Sequence, residues 1–251
     1  MPRVVQWPVA ASAVRTACLL LASFISYLPS SQAALSLSST RVIYSADKRN
    51  VSLTIVNPSD KAFAVQTWVN TATDDQTTAV PFIVSPPLFR LNAGKEQQIQ
   101  INSLPNTLPR DRESLFYFNA QEIPQVTASE GNQLNIALRT RIKLFYRPQE
   151  LKDNPLDKLK ELTWSINKTD GIAHLSVNNP SPFHVSFIRI EVTGNGKTLA
   201  LDNTAMLAPF STQRYDLQSV APGPGLQVNF SVISDYGGFT QPITLPISLD
   251  L

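Results

Sequence analysis

The stretch QLNIALRTRIKLFYRP, residues 133–148, puts an apolar or aromatic side chain at every even position from Leu134 to Tyr146 except Thr140. Its odd positions carry Gln133, Asn135, Ala137, Arg139, Arg141, Lys143, Phe145 and Arg147. A period of two marks an extended strand, because successive side chains leave a pleated backbone on opposite sides. The same period recurs in NVSLTIVN, where Val51, Leu53 and Ile55 share a face, and in KEQQIQIN, LFYFNAQEI, AHLSVN, FHVSFIRIEV, LQVNFSVI and PITLPISL. Helical periodicity is absent from these runs. Turn signals stand between them at Asn57-Pro58-Ser59-Asp60, Asn92-Ala93-Gly94, Gly194-Asn195-Gly196-Lys197 and Ala221 to Gly225. Short strands at roughly 8 to 12 residue spacing predict an all-β chain, built as a sandwich or barrel.

An internal echo predicts two such units. LTIVNPS, from Leu53, matches LSVNNPS, from Leu175, with identical spacing of the apolar residues, the Asn-Pro pair and the serine. Each reads as a strand entering an Asn-Pro turn, and the two lie 122 positions apart. The polar, proline-bracketed stretch PQELKDNP, Pro148 to Pro155, suits a linker between them. The expected organisation is therefore a first domain at 35–148, a linker at 149–155 and a second domain at 156–251, each near the ~100 residues of an immunoglobulin-like sandwich.

The first 34 residues differ from the rest. Arg3 and Arg15 precede the apolar run Ala17 to Leu28, and SSQAA then offers small residues at cleavage spacing. This pattern predicts a secretory signal peptide cut near Ala33 or Ala34. About a dozen apolar residues are too few for a bilayer core of ~30 Å, which needs ~20. Cys18, the single cysteine, falls inside this segment, so the exported chain would rely on core packing and hydrogen bonds without a disulfide. A net charge of +2 from 21 basic and 19 acidic residues makes no case for a nucleic-acid surface.

No catalytic constellation can be assembled. His174 and His184 stand ten apart without metal-ligand spacing around them, and they read as surface or packing residues. There is no Gly-x-Ser-x-Gly elbow, no phosphate-cradling glycine loop and no cysteine nucleophile outside the leader. Asp74 and Asp75 lie in a polar stretch that reads as an exposed loop. No catalytic residue, metal ligand or cofactor is expected.

Cations set inside strong strand patterns stand out instead. Arg41 directly precedes Val42, Ile43 and Tyr44, and Lys143 and Arg147 sit within the stretch quoted first. Two readings fit them. They either face solvent on an edge strand, where cations deter edge-to-edge aggregation, or they form an anion site.

Four segments together resemble the periplasmic pilus chaperones of the chaperone-usher pathway: TRVIY at Thr40 to Tyr44, LPRDRESLFYFNAQEIP at Leu108 to Pro124, IALRTRIKLFYRP at Ile136 to Pro148, and NNPSPFHV with SDYGG in the second half. Ala120 departs from the pattern, standing where the family usually has a larger aliphatic residue. The resemblance implies two immunoglobulin-like β-sandwich domains in a boomerang arrangement with an interdomain cleft. It also implies partners: fimbrial subunits that lack a final strand, and an outer-membrane usher. A self-capping dimer of the unloaded chaperone belongs to the same set, and the implied location is the periplasm.

The resemblance further implies roles. Leu134, Ile136 and Leu138 would be inserted into the subunit groove as a donated strand; ordinary core-facing alternation predicts the same period, so both readings stand. Arg41 and Lys143 would meet in the cleft and hold the subunit's C-terminal carboxylate. Glu113, Arg147 and Asp235 would form a charge network joining the domains. The brief segment Gln125 to Asn132 and the missing cysteine pair place the chain in the short-loop subclass. SPPLFRL, Ser85 to Leu91, reads either as an apolar surface facing an usher or a second copy, or as a proline-rich bend. The competing function is a secreted two-domain adhesive or structural protein.

Overall fold

A computed structural model describes residues 35–75, 77–123, 136–169, 172–194, 196–202, 204–217 and 225–250. The leader at 1–34, Leu134 and the segment Gln125 to Asn132 lie outside the described residues. In the first domain the strands are β1 (Ser36–Leu37), β2 (Arg41–Ser45), β3 (Asn50–Val56), β4 (Phe63–Asn70), β5 (Phe82–Ser85), β6 (Leu88–Leu91), β7 (Glu96–Ser103), β8 (Ser114–Ile123) and β9 (Arg139–Arg147). In the second they are β10 (Thr163–Thr169), β11 (Ile172–Asn179), β12 (Phe187–Gly194), β13 (Lys197–Ala200), β14 (Ser211–Leu217), β15 (Gln227–Val232) and β16 (Ile243–Asp250). No described helix is long and apolar enough to cross a membrane.

The first domain packs a four-stranded sheet, β1-β3-β7-β5, against a five-stranded one, β2-β9-β8-β4-β6. Alternation decides what lies between them: Leu53, Ile55, Ile99 and Ile101 from one sheet meet Val65, Phe118 and Leu144 from the other, all in one buried cluster. Two segments serve both sheets. The opening segment pairs with β3 through Ser36 and Leu37, then with β9 from Arg41 onward. SPPLFRL is the second: β5 pairs with β7, and β6 pairs with β4 in the other sheet. The change falls at Pro86 and Pro87, whose carbonyls accept from the Thr67 hydroxyl and the Thr67 N–H. The stretch is a bend between sheets, and it leaves Leu88 exposed.

The strands of the second domain form one continuous run, β13-β12-β15-β16-β10-β11-β14, that folds over its own core. β16 makes the join. Residues from Ile243 to Pro246 pair antiparallel with β15, and those from Ile247 onward pair parallel with β10. Pro246, which has no N–H to offer a ladder, marks the change. The core holds Trp164, Ile166, Leu175, Val177, Ile190, Val228 and Phe230. Leu159 joins it from a short 3-10 helix, Asp157–Glu161, that follows the PQELKDNP stretch.

The echoed Asn-Pro-Ser motifs do the same work in each domain. Asn57 is fully buried; its amide donates to the carbonyls of Lys61 (2.7 Å), Leu91 (3.2 Å) and Asn92 (3.2 Å). Its side-chain oxygen accepts from the Ser59 hydroxyl at 2.7 Å and the Ser59 N–H at 3.1 Å. Asn179 repeats this, donating to Phe183 (2.8 Å) and Ala208 (2.9 Å) and accepting from both groups of Ser181. A buried asparagine is tolerated because these turn groups satisfy it, and it in turn satisfies their N–H, hydroxyl and carbonyl groups. Asn179→Ala is expected to lower unfolding free energy by about 2–4 kcal/mol, since it orphans several buried groups at once. Chemical denaturation checks this as a lower midpoint at unchanged slope, and Asn57→Ala should behave alike.

Candidate functional site

β9 is unevenly paired. On one side β8 accompanies it from Arg139 to Tyr146; on the other β2 runs parallel to it, but only from Arg41 beside Lys143 to Ser45 beside Arg147. Among the described residues, Arg139 to Ile142 therefore have a strand on one side alone. The strand itself begins at Arg139, later than the alternation of the sequence, and Ile136 and Leu138 precede it at 60% and 46% exposure. A single backbone bond, Glu122 N–H to Leu138 O at 3.0 Å, ties this lead-in to β8. The result is a free sheet edge with apolar side chains beside it, a template for another strand.

That edge closes where β2 starts, and the two cations sit at the closure. Arg41 and Lys143 are register neighbours across the β2–β9 ladder. Arg41 is only 8% exposed. Its guanidinium donates from Nη1 to the Ile233 carbonyl at 3.1 Å, lies 5.7 Å from the Phe145 ring centre, and has no partner for Nε. Among the described residues Lys143 Nζ reaches only the Ser186 hydroxyl, at 3.4 Å. Among the described residues neither cation is within ion-pair distance of a carboxylate. Burial lowers the pKa of Lys143, and the neighbouring Arg41 lowers it further. Burial also lowers that of Arg41, with Asp235 and Glu113 acting in the opposite sense. Two half-desolvated like charges side by side call for an anion, and a carboxylate could accept from both.

A second charged group holds the walls of this cleft. Arg147 donates to Glu113 Oε1 from Nε (2.9 Å) and Nη2 (2.7 Å), and to Asp235 from Nη1 (2.8 Å) and Nη2 (3.2 Å). Burial alone would lower the Arg147 pKa; bonds to Asp235 and Glu113 reverse that, and the net direction is upward. Glu113 Oε2 accepts the His184 N–H at 2.9 Å and faces His184 Nδ1 at 3.2 Å. The Glu113 N–H donates to Pro182 O at 3.0 Å, and the Phe183 ring lies 5.2 Å from the Arg147 guanidinium. Glu113 and Arg147 belong to the first domain and Asp235, His184 and Pro182 to the second, so the bonds tie the domains together.

Of the residues that sequence singled out, Arg41 and Lys143 come together, as do Glu113, Arg147 and Asp235. Ile136 and Leu138 lie along the free edge, and Leu134 is outside the described residues. Sequence reading missed Ser186, the Ile233 carbonyl and the bond from His184 to Glu113. A backbone carbonyl leaves no trace in residue identity, and a histidine that bonds through its N–H looks like any packing histidine.

The chain matches two family descriptions: Pili and flagellar-assembly chaperone, PapD N-terminal domain, over residues 34–152, and Pili assembly chaperone PapD, C-terminal domain, over residues 157–244. It is 37% identical over 232 residues to the probable fimbrial chaperone YadV of Escherichia coli, covering 89% of this chain and 94% of that one. It is 36% identical to the chaperone protein FimB/FhaD of Bordetella pertussis, over 89% of this chain and 93% of the relative. The crystal structure of YadV superposes with a TM-score of 0.73 at 36% identity, covering 84% of this chain and 99% of that chain. The SafA pilin–SafB chaperone complex of Salmonella enterica matches with a TM-score of 0.71 at 29% identity, over 84% and 95% of the two chains.

Replacing Arg147 by alanine leaves Glu113 buried without its cation, at a cost of about 3–5 kcal/mol. Denaturation should report that loss, and small-angle scattering a wider spread of interdomain distances. Lys143 gives a signed pH effect. Its folded pKa lies below the unfolded value, so the unfolded chain binds more protons between the two, and this residue's contribution to stability rises as pH climbs through that window. Lys143→Met is expected to raise the melting temperature at neutral pH and to flatten its dependence on alkaline pH.

Proposed function

The chain belongs to the PapD family of pilus-assembly chaperones, and from that premise we propose that the free edge of β9 receives a strand of a fimbrial subunit whose C-terminal carboxylate is held by Arg41 and Lys143. Its family is a non-enzymatic class, and membership decides against a two-domain adhesive module. The observation that carries the reading is the edge itself: among the described residues, one side of β9 is open from Arg139 to Ile142 and ends against two cations without an acidic partner.

The geometry supports a direction for the guest strand. β2 already occupies the edge from Lys143 onward, so a strand filling the open part must stop where β2 begins. If the guest stops there with its C-terminus, it lies in line with β2 and therefore parallel to β9. Its terminal carboxylate then meets the guanidinium and ammonium, which fixes register; a slip of one residue would turn every side chain to the wrong face. Ile136, Leu138 and, on the sequence pattern, Leu134 supply apolar side chains to the guest's groove. Each is worth about 1.5–3 kcal/mol on full burial, and each new backbone bond about 0.5–1.5. Ordering costs offset part of this. The complex can be stable without nucleotide hydrolysis and still give up its strand to a competitor.

Glu113, Arg147 and Asp235 act on this reading as the brace that keeps the anion site assembled, with no contact to the guest. The leader pattern at 1–34 and the periplasmic setting of fimbrial chaperones support export to the periplasm and delivery of loaded subunits to an outer-membrane usher.

Arg41→Ala and Lys143→Ala are expected to abolish recovery of a soluble one-to-one complex with a co-expressed subunit while melting stays cooperative. Undiminished recovery would remove the anchor. Leu138→Ser should weaken capture by about 1–2 kcal/mol, roughly five- to thirtyfold in affinity, and leave folding unchanged, because Leu138 is 46% exposed in the free protein.

A further inference from the structure

Besides Pro182, His184 and Ser186, one small turn of the second domain meets the cations and the brace together. Ile233 and Phe239 form an antiparallel bridge. Between them the turn closes with Gly237 N–H to Ser234 O at 2.9 Å and Ser234 N–H to Gly238 O at 2.8 Å. It offers the first domain three things: the Ile233 carbonyl to Arg41, the Asp235 carboxylate to Arg147, and the bare Cα of Gly237 to Thr40. Thr40 is the residue directly before Arg41.

The third contact has no slack. A Cβ at position 237 would stand 2.3 Å from Thr40 Oγ1 and 3.5 Å from its Cβ. The first distance is far inside the ~3.5–4.0 Å of ordinary carbon contact. The other two contacts are hydrogen bonds, which attract. A Cβ at position 237 would meet Thr40 repulsively, and a repulsive wall decides how near two bodies drawn together may come. Clearing an added methyl needs a displacement on the order of 1 Å, more than a hydrogen bond of 3.1 Å can absorb.

We infer that Gly237 is a positioning residue for subunit capture: its missing side chain lets the 233–239 turn seat against Thr40 and thereby sets Arg41 and Ser186-bound Lys143 at the spacing a carboxylate needs. This deepens the anchor reading and rests on it. A simpler role competes, since Gly237 has φ +82°, a conformation that side chains resist wherever it occurs. The two separate experimentally, because removing Thr40's side chain relieves the contact and leaves the backbone demand intact.

The test uses the full exported chain and a synthetic peptide of alternating apolar residues, made with a free C-terminal carboxylate and again with an amide. Binding to each is measured by calorimetry or fluorescence anisotropy. Wild type should prefer the carboxylate about tenfold, the worth of one charge-assisted bond. Gly237→Ala should bring the two peptides close to parity, Thr40→Ala should behave as wild type, and the double variant should recover the preference. A Gly237→Ala protein that keeps the preference, or a double variant that stays at parity, overturns the inference. Should Gly237→Ala fail to fold, Thr40→Ile decides alone: it crowds the same contact from the other domain, and an undiminished preference there overturns the inference too. Loss of preference is the expected result. A wild-type protein blind to the carboxylate, or an Arg41→Ala variant that still prefers it, would instead remove the anchor itself.

Discussion

The guanidinium of Arg147, bonded at once to Glu113 of its own domain and Asp235 of the other, is the joint on which the cleft depends. There the two cores, each closed by its own sheets, are held by charged groups on both sides. Because Glu113 is buried and also accepts from the His184 backbone, the joint resists water in a way that an exposed pair would not. Everything proposed for Arg41 and Lys143 assumes that Ile233 and Ser186 stay opposite them, and those two belong to the far domain.

Charges in the molecule are divided by task. Arg147 has two carboxylates, and its protonated form is reinforced. Among the described residues Arg41 and Lys143 have none, and burial works against theirs. The first arrangement is complete within one chain. The second leaves a cost of desolvation that, on the proposed reading, an incoming anion would relieve. A third group, Arg139 and Arg141, lies along the open part of β9, paired with Asp74 and stacked over Trp68 and Tyr117. Cations at a sheet edge are of the kind that deter unwanted edge-to-edge pairing.

Strand positions were readable because alternation is a direct record of which side chains face the core, and the Asn-Pro-Ser echo was readable because buried asparagine needs a fixed set of neighbours. Where β9 begins was not. Alternation runs unbroken through Leu134, Ile136 and Leu138, yet the described strand starts at Arg139. Periodicity reports the orientation of side chains and is silent on whether a backbone has a neighbour to pair with. The parallel pairing that brings Arg41 beside Lys143 was equally hidden, since about a hundred residues separate them and nothing local fixes the register. There the family resemblance supplied what pattern could not. Gly237 was visible only as part of SDYGG; its contact with Thr40 exists in three dimensions alone.

β16 carries a consequence for how the protein is made. By pairing with β15 before Pro246 and with β10 after it, this last strand stitches the two layers of the second domain, joining Trp164 to Ile247. Synthesis must therefore deliver nearly the whole domain before its core can be sealed, whereas β9 ends the first domain's roster much earlier in the chain. The two layers of the second domain are thus closed by the last strand to emerge, whereas the pairing of the first domain is complete in the chain by Arg147.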